Sequence, residues 1–209
     1  MSPFLRLVLF SSFAVTLAAQ SGEGVVSVEE LRNPLTGKSL RTILTAQEHL
    51  RSGQHERGMR ELRDAMSDPV AMPYAITMMG SEHLKAGLLE TAGDELVQAI
   101  HLLPRPETYS NLAYLFYLTK QTERGLEQVR KALQMDGGQP KTRLVLGMLL
   151  LQQGAHDEEA LRHLRVAAEE VPSAHLVLAR YYELTGKAPD AEKERRAYSV
   201  TSMSFLAAK

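Results

Sequence analysis

The chain has 209 residues, a formal net charge of −1 and no cysteine. The absence of cysteine excludes disulfides, thiolate catalysis, thiolate metal sites and a lipid-modified cysteine. The nearly balanced charge provides no basic surface of the kind that binds nucleic acid.

The N-terminus predicts a secretory signal peptide over residues 1–21. Arg6 is the one basic residue, and a mostly apolar stretch over residues 7–18 follows before small residues. That stretch is short for a membrane span of about 20 residues, so a retained anchor is the lesser alternative. Export without cysteine favours the periplasm or envelope of a bacterium, with an extracellular location also open. Three cleavage points suit the small-residue requirement, after Ala18, Ala19 or Ser21.

A lead-in segment over residues 22–38 separates the signal peptide from the rest of the chain. Its turn formers favour a flexible connection that ends by packing Leu31 or Leu35 on the first hairpin. The alternative is that residues 25–31 are extended and lie in the groove of the following domain or add to a partner. Burial of the valines in this segment would separate the two interpretations.

Small residues recur at intervals close to 34 positions. The first set is separated by 34, 33, 34 and 32 residues and consists of Ala46, Gly80, Ala113, Gly147 and Ala179. A second small residue follows twelve positions later in four units, at Gly58, Ala92, Gly125 and Ala191. The fourth unit keeps the pattern at Ala160 when one residue is inserted near Ala155.

Turn formers between these positions predict two antiparallel helices in every unit. Within units they are Ser52-Gly53, Ala86-Gly87, Gln153-Gly154 and Thr185-Gly186, and between units Pro69, Pro104, Gly137-Gly138 and Pro172. Glycine inside a helix costs about 0.5–1 kcal/mol relative to alanine. Gly80, Gly125 and Gly147 therefore indicate places where packed helices approach closely.

This spacing resembles the tetratricopeptide repeat (TPR) family of helical hairpins of about 34 residues. The resemblance is clearest in residues 111–116 running to Ala132, and in residues 178–186 running to Tyr198. It implies an all-α fold, a right-handed α-solenoid of about five hairpins over residues 39–204. A solenoid has one continuous core and no separate domain for an enzyme.

Stacked hairpins of this family present a concave groove built from the first helix of each unit. The family's groove and clamp positions give a candidate partner-binding surface of Arg51, Thr77, Ser81, Lys85, Ser110, Asn111, Tyr114, Tyr117, Lys141, Leu144, Met148 and Arg180. Further mapped positions are Gln47, Leu50, Tyr74, Leu84, Glu107, Leu151, Leu176 and Glu183. The two central tyrosines and the methionine offer aromatic area and an adaptable thioether to a peptide. The alternative is that the tyrosines cap the interface between hairpins.

The family's carboxylate clamp, which grips the terminal carboxylate of heat-shock chaperones, is not predicted. Asn111 and Lys141 match it, but Thr77, Ser81 and Val145 stand where Lys, Asn and Arg are needed. These departures exclude a clamp of that type.

Motifs for catalysis or metal binding are absent from the sequence. It contains no glycine-rich phosphate loop, no serine nucleophile elbow and no His-Glu-x-x-His helix. His49 and His83 share a repeat position where the family has tyrosine, but neighbouring helices lie about 10 Å apart and no third ligand is evident. No metal or cofactor is therefore predicted, and His156 and His163 are expected to be solvated.

The C-terminal end carries apolar residues where a solenoid usually has a polar cap. The last helix, predicted over residues 189–202, presents Tyr198 and Val200, and a tail over residues 205–209 follows. Self-association or docking to a larger partner would cover this surface.

Together these observations predict an exported, non-catalytic adaptor or scaffold that binds a protein or peptide in its concave groove. No small-molecule substrate is expected, and membrane contact is expected only if the N-terminal segment is retained. The alternative is an accessory subunit of an envelope secretion, export or outer-membrane assembly machine, held by the solenoid edges and the tail.

Overall fold

The computed structural model describes residues 34–136, 139–154 and 158–207, with side chains described to residue 202. These ranges contain ten α-helices: α1 (Gly37–Arg51), α2 (His55–Ala65), α3 (Met72–Lys85), α4 (Leu89–Leu102), α5 (Pro106–Leu118), α6 (Thr122–Met135), α7 (Pro140–Gln153), α8 (Glu158–Ala168), α9 (Ala174–Leu184) and α10 (Ala188–Ala207). Proline stands in the first turn of α3, α5 and α7, where its missing N–H removes no hydrogen bond.

Consecutive helices pack in pairs, so the chain forms five antiparallel hairpins. The first helices of successive hairpins also pack on one another from α3 through α5 and α7 to α9. The predicted α-solenoid is confirmed, and its inner wall is the row of first helices.

Four of the five turns within hairpins place glycine in the left-handed backbone region. The φ angles of Gly53, Gly87, Gly154 and Gly186 are 78°, 76°, 90° and 74°. Residues with a Cβ rarely adopt this conformation, which ends the first helix and reverses the chain. The turn positions predicted from these glycines are confirmed.

Small residues inside the helices sit where a larger side chain has no space. A Cβ placed on Gly147 would lie 2.4 Å from Leu164 Cδ2, and one on Gly125 would lie 2.5 Å from Leu149 Cδ2. Leu149 and Leu164 are fully buried, so neither can move into solvent to make room. Close helix packing is therefore the reason for glycine at these positions, as the repeat pattern indicates.

The apolar core runs along the solenoid in three clusters of buried residues. One joins the first two hairpins around Leu62, a second joins the second and third around Leu96, and the third fills the C-terminal hairpins around Leu149. Each hairpin is thus stabilised by its neighbours, as in other repeat proteins.

Several predictions fall outside the described residues or differ from the observed bounds. The signal peptide, most of the lead-in, the Gly137-Gly138 turn, the insertion near Ala155 and His156 lie outside the described residues. The last helix ends at Ala207, beyond the predicted end at Ser202 and inside the predicted tail. Within the described part of the chain, no helix combines the length and hydropathy that crossing a membrane requires.

Candidate functional site

The inner wall holds a cavity of about 500 Å³ near the N-terminal end of the solenoid. We call it the N-terminal cavity. Its lining comes from the first helices of four hairpins and from the segments next to those helices. The lining residues are Leu35, Leu40, Ile43, Leu44, Gln47, Tyr74, Thr77, Met78, Ser81, Arg105, Glu107, Ser110, Asn111, Gln139 and Lys141. Its α1 side is apolar and its α5 and α7 sides are polar.

The polar side of the N-terminal cavity is organised around Glu107. Gln139 Nε2 donates a hydrogen bond of 2.9 Å to Glu107 Oε1, which links the first turn of α5 to the start of α7. The Arg105 guanidinium lies 3.5 Å from the other carboxylate oxygen and also stacks on the Tyr74 ring, 4.5 Å from its centroid. Lys141 is exposed beside them and forms no ion pair with the described residues.

A second cavity, of about 470 Å³, lies towards the C-terminal end of the same wall. We call it the C-terminal cavity. Its lining consists of Tyr117, Lys120, Met148, Leu151, Gln152, Gly154, Leu176, Val177, Arg180 and Leu184. Leucine, valine, methionine and tyrosine side chains form most of this lining, and Lys120 and Arg180 add positive charge.

Tyr117, the aromatic residue that lines the C-terminal cavity, stacks on Tyr114. The rings of Tyr114 and Tyr117 have centroids 6.1 Å apart and planes 13° apart. Tyr114 packs against two core clusters, whereas Tyr117 packs against one and also lines the cavity. Tyr114 therefore supports the interface between hairpins, whereas Tyr117 contributes surface to the cavity.

Lys120 occupies the turn position that glycine takes in the other four hairpins. Its φ is 60°, and it is the sole residue other than glycine with positive φ in the described chain. The turn keeps the backbone hydrogen bonds of its glycine counterparts, from Lys120 N to Tyr117 O and from Gln121 N to Phe116 O. A left-handed residue with a Cβ costs about 1–2 kcal/mol, so the surrounding structure must hold it there.

Gln152 provides that support from the neighbouring hairpin. Its Nε2 donates 3.1 Å to the carbonyl of Tyr117, and its Oε1 accepts a 2.8 Å hydrogen bond from Thr122 Oγ1. These two hydrogen bonds hold Tyr117 and Thr122, which lie on either side of Lys120, against the end of α7. Sequence analysis missed Lys120 and Gln152; the available signal was the missing turn glycine in the third hairpin.

The structure places the predicted groove residues in four settings. Thr77, Ser81, Ser110, Asn111 and Lys141 line the N-terminal cavity, and Tyr117, Met148 and Arg180 line the C-terminal cavity. Tyr114 and Leu144 pack against the core between them. Arg51 and Lys85 lie outside both cavities at the ends of α1 and α3, where they pair with Glu48 and Glu82 one turn earlier.

The side chain of Thr77 packs inside the inner wall and contributes little to its exposed surface. The side chain is buried, and its hydroxyl donates 2.9 Å to the carbonyl of Pro73. The fully buried hydroxyl of Thr108 lies 3.0 Å away and donates to Thr77 Oγ1. This pair connects α3 to α5 directly below the N-terminal cavity.

Two histidines contact a carboxylate on the other helix of their hairpin. His83 Nδ1 lies 2.7 Å from Glu95 Oε2 across the second hairpin, and His175 Nδ1 lies 2.7 Å from Glu194 Oε2 across the fifth. Within the described residues, no group of three or more His, Asp or Glu is arranged to hold a metal ion.

His163 is not solvated, so that prediction is wrong. Its side chain is only 12% exposed, and its Nδ1 lies 3.3 Å from Arg143 Nη1 across the fourth hairpin. Burial lowers the pKa of His163, and the positive charges of Arg143 and Arg162 lower it further. The sequence could not show this contact because it depends on how α7 packs against α8.

Solved repeat proteins share this architecture. A thermophilic TPR protein of Thermus thermophilus matches with a TM-score of 0.66 and 18% identity over 81% of this chain and 99% of its own. PilW, a widely conserved type IV pilus biogenesis factor, matches with a TM-score of 0.66 and 21% identity over 79% and 78%. MamA from Desulfovibrio magneticus matches at 0.57 and 16% over 81% and 98%.

The fold is that of a TPR α-solenoid. Because these sequence identities are low, the comparisons show a similarity of fold alone. No protein-family model matches the chain, and no curated protein matches it significantly.

Proposed function

We propose that this chain is a non-catalytic adaptor of the cell envelope that binds a peptide or protein partner in its concave groove. The observation that carries this proposal is the C-terminal cavity, an apolar recess with positive charge at its edge. Solvent-exposed recesses of this kind on a preformed wall fit side chains of a partner without a large rearrangement.

The chemistry of the C-terminal cavity defines the segment that fits. Tyr117, Met148 and Leu176 offer an apolar surface for a bulky anchor side chain. Lys120 lies with its ammonium 5.5 Å from the Tyr117 ring centroid, beside the space for that anchor. A peptide that combines an apolar anchor with an adjacent acidic residue therefore fits best.

A binding role without turnover agrees with the arrangement of the titratable groups. Arg180, one of the two cations of the cavity, is paired with Glu183 on the exposed surface at 3.2 Å. Among the described residues, no hydrogen bond joins the hydroxyl of Ser81 or Ser110 in the N-terminal cavity to a carboxylate or a histidine, as an activated serine nucleophile would require. The envelope location rests on the predicted signal peptide of residues 1–21, and one structural neighbour is a pilus biogenesis factor.

The test is a comparison of partner capture by two forms of the protein. The mature chain from Gly22 and its Tyr117→Ala/Met148→Ala variant are used to capture partners from an envelope fraction. The captured partner is then purified and titrated against both forms. We expect the double variant to lose at least about tenfold in affinity, since two central anchors commonly contribute more than 1 kcal/mol each.

A matched control uses apolar side chains on the outer helices. Val97 and Leu102 are exposed on α4, away from the inner wall. The Val97→Ala/Leu102→Ala variant should bind with unchanged affinity. If it loses binding while the Tyr117→Ala/Met148→Ala variant does not, the groove proposal is wrong.

A second candidate function is an accessory subunit of an envelope machine, held by the solenoid edges and the C-terminal end. Val200 supports it, because this residue near the end of the last helix is 66% exposed. A second apolar recess of about 530 Å³ lies on the outer side around Val97, Leu102 and Phe116. If the protein has this function, Val200→Ser should weaken capture of the partner, whereas Tyr117→Ala/Met148→Ala should not.

A further inference from the structure

The outer helix α4 carries a row of exposed side chains along one face. Asp94, Val97, Gln98 and His101 have the spacing of neighbours on a helix surface, and all four are exposed. Among the described residues, neither Asp94 nor His101 has an ion-pair or hydrogen-bond partner. This row therefore presents an acid, a base and an apolar side chain that are available to another molecule.

An apolar recess of about 530 Å³ lies beside this row, and we call it the outer recess. Its lining includes Gly93 of α4 and, from the next hairpin, Leu115 and Phe116. Leucine takes the repeat position of Gly93 in the third and fourth hairpins, where Leu126 and Leu161 are 1% and 4% exposed. Gly93 has no side chain to fill the equivalent space, so the outer recess stays open to the surface.

The charges of the row complement those of a second copy of the same row. Asp94 and His101 stand at equal distances from the midpoint between Val97 and Gln98. A twofold axis at that midpoint makes two copies of α4 antiparallel and brings residues equally far from the axis together. Each Asp94 carboxylate then faces His101 of the other copy, whose ring can donate an N–H.

The same axis also pairs the central residues of the row. Val97 lies next to its own counterpart, and so does Gln98. Two valines can pack against each other, and two side-chain amides can exchange hydrogen bonds. Every exposed member of the row therefore meets a side chain of matching chemistry in a second copy.

We propose that this protein forms a symmetric dimer in which the α4 helices of two copies pack antiparallel. The contact covers Val97 and Leu102, which are 44% and 47% exposed, at the mouth of the outer recess. α4 has 14 residues and is about 21 Å long. One such helix pair buries less than the roughly 1,200–2,000 Å² of a stable interface, so we expect a Kd of about 10–100 µM.

This inference does not depend on the proposed function. α4 is the second helix of its hairpin, so the N-terminal and C-terminal cavities of both copies remain open. If a partner also carries two binding segments, the dimer would bind it more tightly than one copy does.

The experiment is sedimentation equilibrium of the mature chain from Gly22, at concentrations from well below to well above the expected Kd. Val97→Glu places two like charges beside the axis and should raise the Kd at least about tenfold. Val200→Glu is the matched control, because Val200 is 66% exposed near the end of α10 and far along the chain from α4. The control should leave the Kd unchanged, and equal helical content by circular dichroism would show that all three chains are folded.

Exchange of the two charges tests the antiparallel geometry. His101→Glu brings two acids together at each contact, and Asp94→Lys brings a cation to His101. Each variant alone should therefore associate at least about tenfold more weakly than the native chain. An equimolar mixture of the two variants should recover the native Kd to within about threefold, because each acid again faces a base in the mixed dimer.

Three results would overturn the proposal. One is a native chain that remains monomeric at every concentration, which would leave the α4 face to a different molecule. The second is a dimer that Val97→Glu leaves intact, and its loss in Val200→Glu would place the contact at the C-terminal end. The third is a mixture of the two charge variants that associates no better than either variant alone.

Discussion

The ammonium of Lys120 lies 5.5 Å from the centroid of the Tyr117 ring, although Lys120 stands at a backbone position that favours glycine. The other four hairpins have glycine at this turn. Strained backbone conformations persist where the surrounding structure enforces them, and they concentrate at functional sites. The positive charge that Lys120 adds to the C-terminal cavity is therefore accompanied by a conformational cost in the backbone at this residue.

Lys120→Gly should separate stability from binding. Removal of the left-handed strain should raise the free energy of unfolding by about 1 kcal/mol, while loss of the ammonium should weaken the partner's binding. Urea denaturation and titration of the partner measure the two effects. Lys120→Ala should weaken binding equally without the gain in stability, and a stabilised Lys120→Gly variant with native affinity would argue against a role in binding.

Gly147→Ala should destabilise the solenoid although alanine is the better helix former. The new Cβ would overlap the buried Leu164 side chain at 2.4 Å, and overpacking of this kind costs about 1–3 kcal/mol. The helix propensity gained is only about 0.5–1 kcal/mol. Thermal unfolding should therefore occur at a lower temperature.

Gly93→Ala is the control, and we expect it to raise the stability that Gly147→Ala lowers. Gly93 lies inside α4, and a Cβ there would meet Leu115 Cδ1 at 3.4 Å, an ordinary contact. This variant should gain about 0.5–1 kcal/mol from helix propensity. If both variants are stabilised, close packing is not the reason for glycine at residue 147.

Thr77→Val should reduce stability without affecting partner binding. The substitution removes the acceptor of the Thr108 hydroxyl, which is fully buried, and an unpaired buried hydroxyl costs about 1–3 kcal/mol. Ser81→Ala, on the same wall but with a half-buried side chain, should change stability by no more than about 0.5 kcal/mol. Urea denaturation of both variants tests this, and equal stabilities would contradict a structural role for Thr77.

His163 should make the protein less stable as the pH falls. Its pKa is lowered by burial and by Arg143 and Arg162, below the ordinary value of 6.5. Below that pH the unfolded chain binds a proton that the folded chain resists, so the free energy of unfolding decreases. Glu159, 3.9 Å away, opposes this effect in part.

His163→Gln should remove this component of the pH dependence. Denaturant midpoints measured between neutral and mildly acidic pH should decrease less in the variant than in the native chain. Comparison within the pair cancels the contributions of all other titratable groups, which are present in both. Parallel curves would show that His163 does not titrate differently in the two states.

The solenoid could be predicted from the sequence because the residues that indicate it act locally and recur in every unit. Small residues such as Gly125 and Gly147 recur where helices must touch, and turn glycines such as Gly53 and Gly186 recur where the chain reverses. Any unit alone would be a weak signal. Five units with the same spacing leave one way to bury the apolar faces.

The tertiary structure alone decided which side chains form the candidate site. Family positions placed Tyr117, Met148 and Arg180 in the groove, but they also included Arg51 and Lys85, which lie beyond both cavities. Lys120 joined the site through a turn conformation that Gln152 holds from another hairpin. Such contacts depend on the distance and angle between helices far apart in sequence, and a repeat pattern does not encode either.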